Sequence, residues 1–321
     1  MTRSARVKAY AKINLGLRVL HRRADGYHEL RTVFQTVSLA DTLDIAWTPG
    51  RPSRVVVEGA PEIVDNIAAK AAILFVEKLK LRGAVRIGLR KTIPSGAGLG
   101  GGSSDAAAVL LALPVLSGAH LPFDEVRALA AQLGSDVPFF LLGGRALGLG
   151  RGEELYPLPE TTEKKGLLIV PAIHSSTAQA YRDLSRQLTL ISLQNKLNSF
   201  QRDIWQGGKV GAVNDFEAVV SAQYPRIGEI CRRLRRLGAN PAAMTGSGSA
   251  VYGIFDDPER LRRARAVFSK GLLEREQSFP ISFLSRNQYR NRWRRALAPH
   301  VKTGSNGADS WPPLSRYAPA R

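Results

Sequence analysis

A run of small residues between positions 94 and 105 restricts the fold of this 321-residue chain more than any other segment. It reads Pro-Ser-Gly-Ala-Gly-Leu-Gly-Gly-Gly-Ser-Ser-Asp, with five glycines within seven residues. Apolar alternation predicts a strand before it, Ala84–Leu89, and a helix after it, capped by Ser103 or Ser104 and continuing to about Leu113. Glycines let the backbone approach a ligand closely, and a helix N-terminus carries partial positive charge. The segment therefore predicts an anion site, and we expect a nucleotide phosphate there.

Three further roles are conceivable for this loop, and its residues fit each of them less well. A Walker A loop needs a lysine after its last glycine, and here Gly101 is followed by Gly102 and Ser103. A dinucleotide fingerprint is literally present from Gly96, but the acid at the expected distance, Asp124, follows a loop and caps a helix instead of ending a strand. A glycine turn without a ligand does not account for the hydroxyls and the helix cap that follow at once. A phosphate-binding loop of another kind is therefore the favoured interpretation.

Composition limits the class of protein. The chain is 44% apolar and 23% charged, as in ordinary globular proteins. Its most apolar stretch, Ala106–Ala119, contains Pro114 and is shorter than the roughly 20 residues of a spanning helix. The beginning of the chain has no apolar run of signal-peptide type, and Cys231 is the single cysteine, which excludes an internal disulfide and a thiolate metal site. We expect a cytoplasmic protein that does not contact a membrane.

The order of predicted elements indicates an α+β protein in two domains with a C-terminal tail. A polar stretch with two prolines, 157–166, predicts a boundary, so that the domains are 1–160 and 161–285. Strands alternate with helices after it, and Ile281–Leu284 is predicted as a closing strand. Before it, Phe139–Leu149 predicts a hairpin. The net charge is +19, and residues 286–321 hold eight basic side chains and one acid with little apolar periodicity, which predicts a disordered tail apart from a short helix near its start.

Motifs along the chain resemble the GHMP kinases, a family of small-molecule kinases. The glycine run resembles the ATP loop of that family. Further segments resemble one branch of it, and they occur in order between about residues 5 and 285: Ala9–Leu15, Arg23–Leu30, Gly134–Phe140, Asn214–Glu217 and Thr245–Ser249. The resemblance implies an N-terminal α/β domain like that of ribosomal protein S5 and a ferredoxin-like C-terminal domain.

The resemblance also implies the reaction and its residues. That branch phosphorylates the C2 hydroxyl of 4-diphosphocytidyl-2-C-methyl-D-erythritol, in the non-mevalonate isoprenoid pathway, with ATP and Mg²⁺ as cofactors. Lys12 and Asp136 match its catalytic pair, with Asp136 as general base. The implied ATP contacts are Asn66, Lys70, Pro94, Ser95, Gly96, Ala97, Gly98, Leu99, Gly100, Gly101, Gly102, Ser103, Ser104, Gly246 and Ser247. The implied substrate contacts are Asn14, Tyr27, His28, Thr177 and Tyr181. No metal ligands are assigned, although the Ser103 hydroxyl is a candidate for Mg²⁺.

Two other functions stay open. Another kinase of the same family would use the same ATP loop, although the Tyr27-His28 pair argues against it. Alternatively, the tail places aromatic residues such as Trp293 and Trp311 among its arginines, a mixture suited to single-stranded nucleic acid. We favour a disordered extension over this second function and expect no nucleic-acid partner.

Overall fold

Two β-sheets organise the chain in the computed structural model, which describes residues 1–50, 54–59, 65–161, 163–186, 190–205, 213–302 and 310–318. The first-half elements are β1 (Arg3–Arg22), β2 (His28–Pro49), β3 (Arg54–Glu58), α1 (Ile67–Lys78), β4 (Gly83–Arg90), α2 (Gly101–Ser117), α3 (Phe123–Leu133), α4 (Val137–Leu142), β5 (Arg145–Leu149) and β6 (Glu154–Pro157). The second-half elements are β7 (Lys165–Val170), α5 (Thr177–Ser185), α6 (Leu190–Trp205), α7 (Asp215–Gln223), α8 (Pro225–Arg236), β8 (Ala242–Met244), β9 (Val251–Phe255), α9 (Pro258–Gly271), β10 (Gln277–Ser282) and α10 (Arg286–Leu297).

The larger sheet is built on two long antiparallel strands. β1 pairs with β2 from Arg3 opposite Trp47 to Arg22 opposite His28, with three register shifts along the way. The second edge of β2 is shared, because its first half pairs with β5 and its second half with β4. The register shifts let each strand bend without breaking, so that β2 continues as one strand from His28 to Pro49.

Helix α2 lies at the centre of the core of this domain and is buried on nearly all sides. It begins after Gly100, whose backbone is in the left-handed region, and not at Ser103 or Ser104 as predicted. It also continues through Pro114 to Ser117, beyond the predicted end at about Leu113. Burial of the surrounding apolar side chains outweighs the local cost of the proline.

The smaller sheet has the strand order β10-β7-β9-β8 and is antiparallel throughout. One face packs on helices of its own domain, with Leu167 and Ile169 in the same apolar cluster as Leu234 and Phe268. The other face packs on β1 and β2, and the Tyr252 hydroxyl donates to the backbone oxygen of Asn14. The two-domain α+β prediction is confirmed, whereas the boundaries at residues 160 and 285 stay predictions.

The predicted hairpin over Phe139–Leu149 is wrong in its first half. Residues 137–142 form the short helix α4, with Pro138 in its first turn and its side chains almost entirely buried. Gly143 and Gly144, both with positive φ, then connect α4 to β5. Because α4 is buried on several faces, its sequence is apolar throughout and shows no helical period. For this reason the run resembles a strand in the sequence.

The short helix predicted near the start of the tail is present as α10, whereas the disorder expected for the rest is wrong for residues 310–318, which pack on the first domain. Ser285 and Gln288 form a capping box that begins α10, and Tyr289, Trp293 and Leu297 are buried in the core of the first domain. A spacing of four residues places these three side chains on one helix face, which is the pattern that the sequence analysis overlooked. Residues 303–309 and 319–321 of the tail lie outside the described residues.

Candidate active site

A cavity of about 1180 Å³ lies between the two domains. Its walls come from several parts of the chain, including β1, the start of β2 with the loop before it, the glycine-rich loop, the start of α4, the segment from 174 to 186 and the turn at 246–247. Of the residues singled out from sequence, the lining includes Lys12, Asn14, Tyr27, His28, Gly96, Gly98, Gly100, Asp136, Thr177, Tyr181, Gly246 and Ser247. Residues that are far apart in sequence are thus brought to one cavity.

The glycine-rich loop is held from both sides. The Lys12 amide donates to the Leu99 carbonyl at 3.0 Å, and the Ala250 amide donates to the Ala97 carbonyl at 3.2 Å. A Cβ on Gly98 would lie 2.2 Å from the Thr245 carbonyl oxygen, so that this approach requires glycine. No side chain caps the N-terminus of α2. The first backbone N–H groups of that helix are therefore available to an anion.

A buried ionic cluster supports the loop from below. Lys91 Nζ lies 2.5 Å from Asp41 and 2.8 Å from Asp105, which belongs to the second half of the glycine-rich segment. Burial raises the pKa of Asp105 to about 7 against the opposing charge of Lys91. Burial would lower the pKa of Lys91, but the two carboxylates outweigh it and raise that pKa. Sequence analysis missed this cluster, because nothing in the spacing of its members shows that they meet.

Lys12 and Asp136 form the charged centre of the cavity. Lys12 Nζ lies 3.4 Å from Asp136 Oδ2 and donates to Asn14 Oδ1 at 2.8 Å. The lysine side chain is 4% exposed and the aspartate 33%, so that the carboxylate faces the open cavity. Asn14 donates in turn to the Thr32 hydroxyl at 2.7 Å, which holds the amide in place. The site thus combines a carboxylate that can accept a proton with a nearby cation.

Aromatic rings line the other end of the cavity. His28 stacks on Tyr181 with 4.7 Å between ring centroids, and its Nε2 lies 2.7 Å from the Ser185 hydroxyl. Burial lowers the pKa of His28, with added repulsion from nearby positive groups, so that the ring is neutral at physiological pH. Tyr27 is 55% exposed, and the Arg151 guanidinium lies 4.7 Å from its ring centroid. These rings offer flat surfaces and hydrogen-bonding atoms suited to a nucleobase.

A second glycine-containing turn, Thr245–Ser249, closes the cavity from the C-terminal domain. The Ser247 hydroxyl lies 2.7 Å from that of Thr177, and Asn214 donates to the Gly246 carbonyl at 2.8 Å. Asn214 therefore positions the turn from the start of α7. Thr245 extends the network to β1 through a hydrogen bond of its hydroxyl to Asn14 Oδ1 at 3.2 Å.

Several residues singled out from sequence lie outside the lining of this cavity. Asn66 caps α1 by accepting from the Ala68 amide at 2.9 Å, and the exposed Lys70 pairs with Asp65. Ser104 is buried and donates to the Tyr10 carbonyl. The remainder belong to the loop but do not line the cavity: Pro94, Ser95, Ala97, Leu99, Gly101, Gly102 and Ser103. The cavity also has walls that sequence analysis missed, including Phe34, Arg22, His174 and Arg182.

Metal clusters and membrane-spanning helices are both absent from the described residues. No group of three or more His, Cys, Asp or Glu side chains in that part of the chain is arranged to hold a metal ion. None of the helices described has both the length and the apolar character needed to cross a membrane.

Comparison with known proteins agrees with the fold. Residues 66–144 match the model of the GHMP kinases N terminal domain, and residues 186–272 match that of the GHMP kinases C terminal. The 4-diphosphocytidyl-2-C-methyl-D-erythritol kinase of Solibacter usitatus is 51% identical, over 99% of both chains. That of Geobacter sulfurreducens is 40% identical, over 80% of this chain and 92% of its own.

Solved structures give the same result. A crystal structure of 4-(cytidine 5'-diphospho)-2C-methyl-D-erythritol kinase matches with a TM-score of 0.71 and 36% identity, over 88% of this chain and 99% of that one. A homoserine kinase from Cytophaga hutchinsonii, at 17% identity and a TM-score of 0.69, shares the fold over 88% of this chain and 95% of its own.

The two domains and the glycine-lined cavity between them define a GHMP kinase, which uses ATP and a small-molecule substrate. Identity to relatives along nearly the whole chain defines the branch. The chain belongs to the 4-diphosphocytidyl-2-C-methyl-D-erythritol kinase family.

Proposed function

We propose that this protein transfers the γ-phosphoryl group of ATP to the C2 hydroxyl of 4-diphosphocytidyl-2-C-methyl-D-erythritol, in the cytoplasm, as a step of the non-mevalonate isoprenoid pathway. The observation that carries the proposal is the position of the Lys12–Asp136 pair. It lines one cavity with the glycine-rich loop and with the aromatic rings of His28 and Tyr181. A phosphate site, a proton acceptor and a nucleobase site are thus present together.

Asp136 is the general base of the proposed reaction. Its carboxylate accepts the proton of the C2 hydroxyl as the oxygen attacks the γ-phosphorus of ATP. Lys12 stabilises the negative charge on the transferring group and, through its bond to Asn14, stays directed at the reacting atoms. Because phosphoryl transfer depends mainly on positioning and charge stabilisation, these few groups are sufficient.

The glycine-rich loop binds the phosphates of ATP through its backbone. Gly96, Gly98 and Gly100 line the cavity, and α2 begins directly after them. Ser247 and Gly246 approach from the opposite domain and close the site over the nucleotide. Although the proposal keeps Asn66 and Lys70 near the adenine, it depends on the loop and not on these two residues.

Mg²⁺ fits this site as a partner of ATP and not as a resident ion. The carboxylates of Asp41 and Asp105 are occupied by Lys91, and that of Asp136 by Lys12. Mg²⁺ retains water ligands and binds nucleotide phosphates with few protein groups, so that the phosphates of ATP would hold the ion, with the Ser103 hydroxyl in the first turn of α2 as the candidate protein ligand. The ion would neutralise charge on the phosphates.

The cytidine end of the substrate binds against the aromatic rings. Tyr27 offers an exposed ring face, and neutral His28 and the helix residues Thr177 and Tyr181 supply further contacts. Because His28 is neutral and its Nε2 is bonded to Ser185, its Nδ1 can make a directed hydrogen bond to an uncharged base.

A substrate panel tests the proposal. Purified protein is assayed with ATP and Mg²⁺ against 4-diphosphocytidyl-2-C-methyl-D-erythritol, mevalonate and homoserine, with release of ADP as the readout. We expect turnover of the cytidine compound at least about 100-fold above that of the other two, because only that compound can use the aromatic end of the cavity. Turnover of mevalonate or homoserine alone would refute the substrate, while leaving the kinase class intact.

A further inference from the structure

The C-terminal segment, residues 286–302 and 310–318, touches the helix that carries the proposed catalytic base. Asp136 precedes the first residue of α4, and its backbone has helical angles. The far end of α4 is covered by two aromatic side chains of the C-terminal segment. The Tyr289 hydroxyl donates to the Phe140 carbonyl, and Trp311 Nε1 donates to the Leu141 carbonyl at 2.8 Å.

These two hydrogen bonds satisfy groups that a helix cannot satisfy internally. The last carbonyls of any helix receive no hydrogen bond from within it, and α4 has only six residues, so that they make up much of its length. Gly143 donates to the Phe139 carbonyl at 2.9 Å, and the next two carbonyls receive Tyr289 and Trp311. The C-terminal segment therefore completes the hydrogen bonding of α4.

The same helix also contacts the ATP loop and the floor of the cavity. The Phe140 ring lies so close to Gly100 that a Cβ there would be 2.8 Å from its Cζ. Phe139 packs on Phe34 with 4.9 Å between ring centroids, and Lys12 Nζ lies 5.4 Å from the Phe34 centroid. A helix of this length spans only about 9 Å, so that it moves as one body. Displacement of its far end would shift Asp136 relative to both Lys12 and the loop.

The donors of the C-terminal segment are themselves well anchored. Tyr289 is fully buried against Gly143, and its ring makes an edge contact with that of Trp311. The Arg290 guanidinium covers the Trp311 ring at 5.1 Å, and the Ser315 hydroxyl donates to the Val115 carbonyl of α2 at 2.7 Å. Helix α10 therefore holds Tyr289 on α4, and the contacts of residues 310–318 with α10 and α2 hold Trp311 on it.

We infer that Tyr289 and Trp311 are positioning residues for phosphoryl transfer, which hold α4 so that Asp136 stays aligned with Lys12 and the glycine-rich loop. The inference rests on the proposed role of Asp136 as the base. It assigns a part in the reaction to a segment that lies beyond the motifs shared with the GHMP kinases. The expected consequence is a change in kcat with little change in nucleotide binding.

The test removes each donor with the smallest possible change. Tyr289→Phe deletes one hydroxyl, Trp311→Phe replaces the indole and its donating N–H by a smaller phenyl ring, and the double variant removes both donors. Tyr317→Phe is the matched control, because its hydroxyl bonds to His300 within the same segment and does not contact α4. kcat and KM for ATP and for the cytidine substrate are measured together with thermal unfolding, and rates are normalised to the concentration of folded enzyme.

We expect the double variant to lose at least about tenfold in kcat, because small misplacements of reacting groups are costly. KM for ATP should change less than about twofold, since the loop that binds the nucleotide is unaltered. Tyr317→Phe should retain the wild-type kcat. A double variant with the kcat of Tyr317→Phe would overturn the inference.

The same substitutions in the Asp136→Asn variant distinguish a positioning role from a general effect on stability. In Asp136→Asn no base remains to be aligned, so that adding the double variant should lower the residual rate less than about twofold. An equal fold-loss in both backgrounds would show a purely structural role and refute the inference, while the proposed function stands. Full activity of Asp136→Asn alone would refute the proposed base and, with it, this inference.

Discussion

Lys12 Nζ lies 3.4 Å from Asp136 Oδ2, and this contact joins β1 to the start of α4 at the centre of the cavity. The lysine is almost fully buried, whereas a third of the aspartate side chain is exposed. The pair therefore presents its carboxylate to the open cavity, and the lysine lies behind it. Activity should depend on this arrangement and on the elements that hold it in place.

Replacement of the base should separate chemistry from binding. Asp136→Asn keeps the size of the side chain but cannot accept a proton, so that kcat should fall by roughly 10²–10⁴. The dissociation constant for ATP, measured by calorimetry, should change less than about threefold, because the loop is untouched. Near wild-type turnover in this variant would contradict the mechanism. Asp124→Asn, an exposed position on α3, is the matched control and should behave as wild type.

The glycine-rich loop should not tolerate a side chain at Gly98. Gly98→Ala places a methyl group 2.2 Å from the Thr245 carbonyl at a backbone φ of +79°, so that the loop must move. KM for ATP should rise at least about tenfold, because the backbone no longer approaches the phosphates closely. Gly228→Ala, in α8 and with no contact below 3.3 Å, is the control for a glycine replacement as such. Equal ATP affinity in the two variants would exclude the loop from nucleotide binding.

The C-terminal helix α10 should be required for stability, because its buried face belongs to the core of the first domain. Truncation after Ser285 removes Tyr289, Trp293 and Leu297, and each buried side chain of this kind contributes about 1.5–3 kcal/mol. We expect the melting temperature to fall by at least about 10 °C. Arg295→Ala, at an exposed position of the same helix, is the control and should leave it unchanged. A protein that ends at Ser285 and melts like the full chain would show that the segment does not stabilise the core.

The ionic cluster below the loop should make stability depend on pH. The pKa of Asp105 is about 7 in the folded protein, above its ordinary value, so that the folded state holds a proton that the unfolded state has released. This contribution to the free energy of unfolding is present in acid and is lost as pH rises from about 4 to about 7. Asp105→Asn cannot release that proton, so that its stability, measured by urea unfolding, should fall less over this range. Parallel pH profiles of the two proteins would exclude the effect.

The local patterns in the sequence were sufficient for several parts of the site. The glycine-rich loop between a strand and a helix was predicted correctly, because glycine spacing and apolar periodicity report on adjacent residues. The resemblance to the GHMP kinases supplied the family, which the comparisons confirmed.

The predictions failed where neighbours in space outweighed neighbours in sequence. The run from Phe139 reads as a strand, but burial on several faces makes it the helix α4. Pro114 suggests an early end of α2, but the surrounding core carries the helix to Ser117. Charge suggested a disordered tail apart from one short helix, whereas three side chains spaced by four residues dock that helix, α10, on the core.

The chain thus encodes its phosphate loop and its family motifs locally, in residue types whose conformational preferences act over a few positions. The approach of Lys12 to Asp136, the cluster of Asp41, Lys91 and Asp105, and the bonds from the C-terminal segment to α4 have no local signature. They depend on the packing of two sheets and a central helix, because contacts between residues far apart in sequence are determined by which apolar faces are buried against each other.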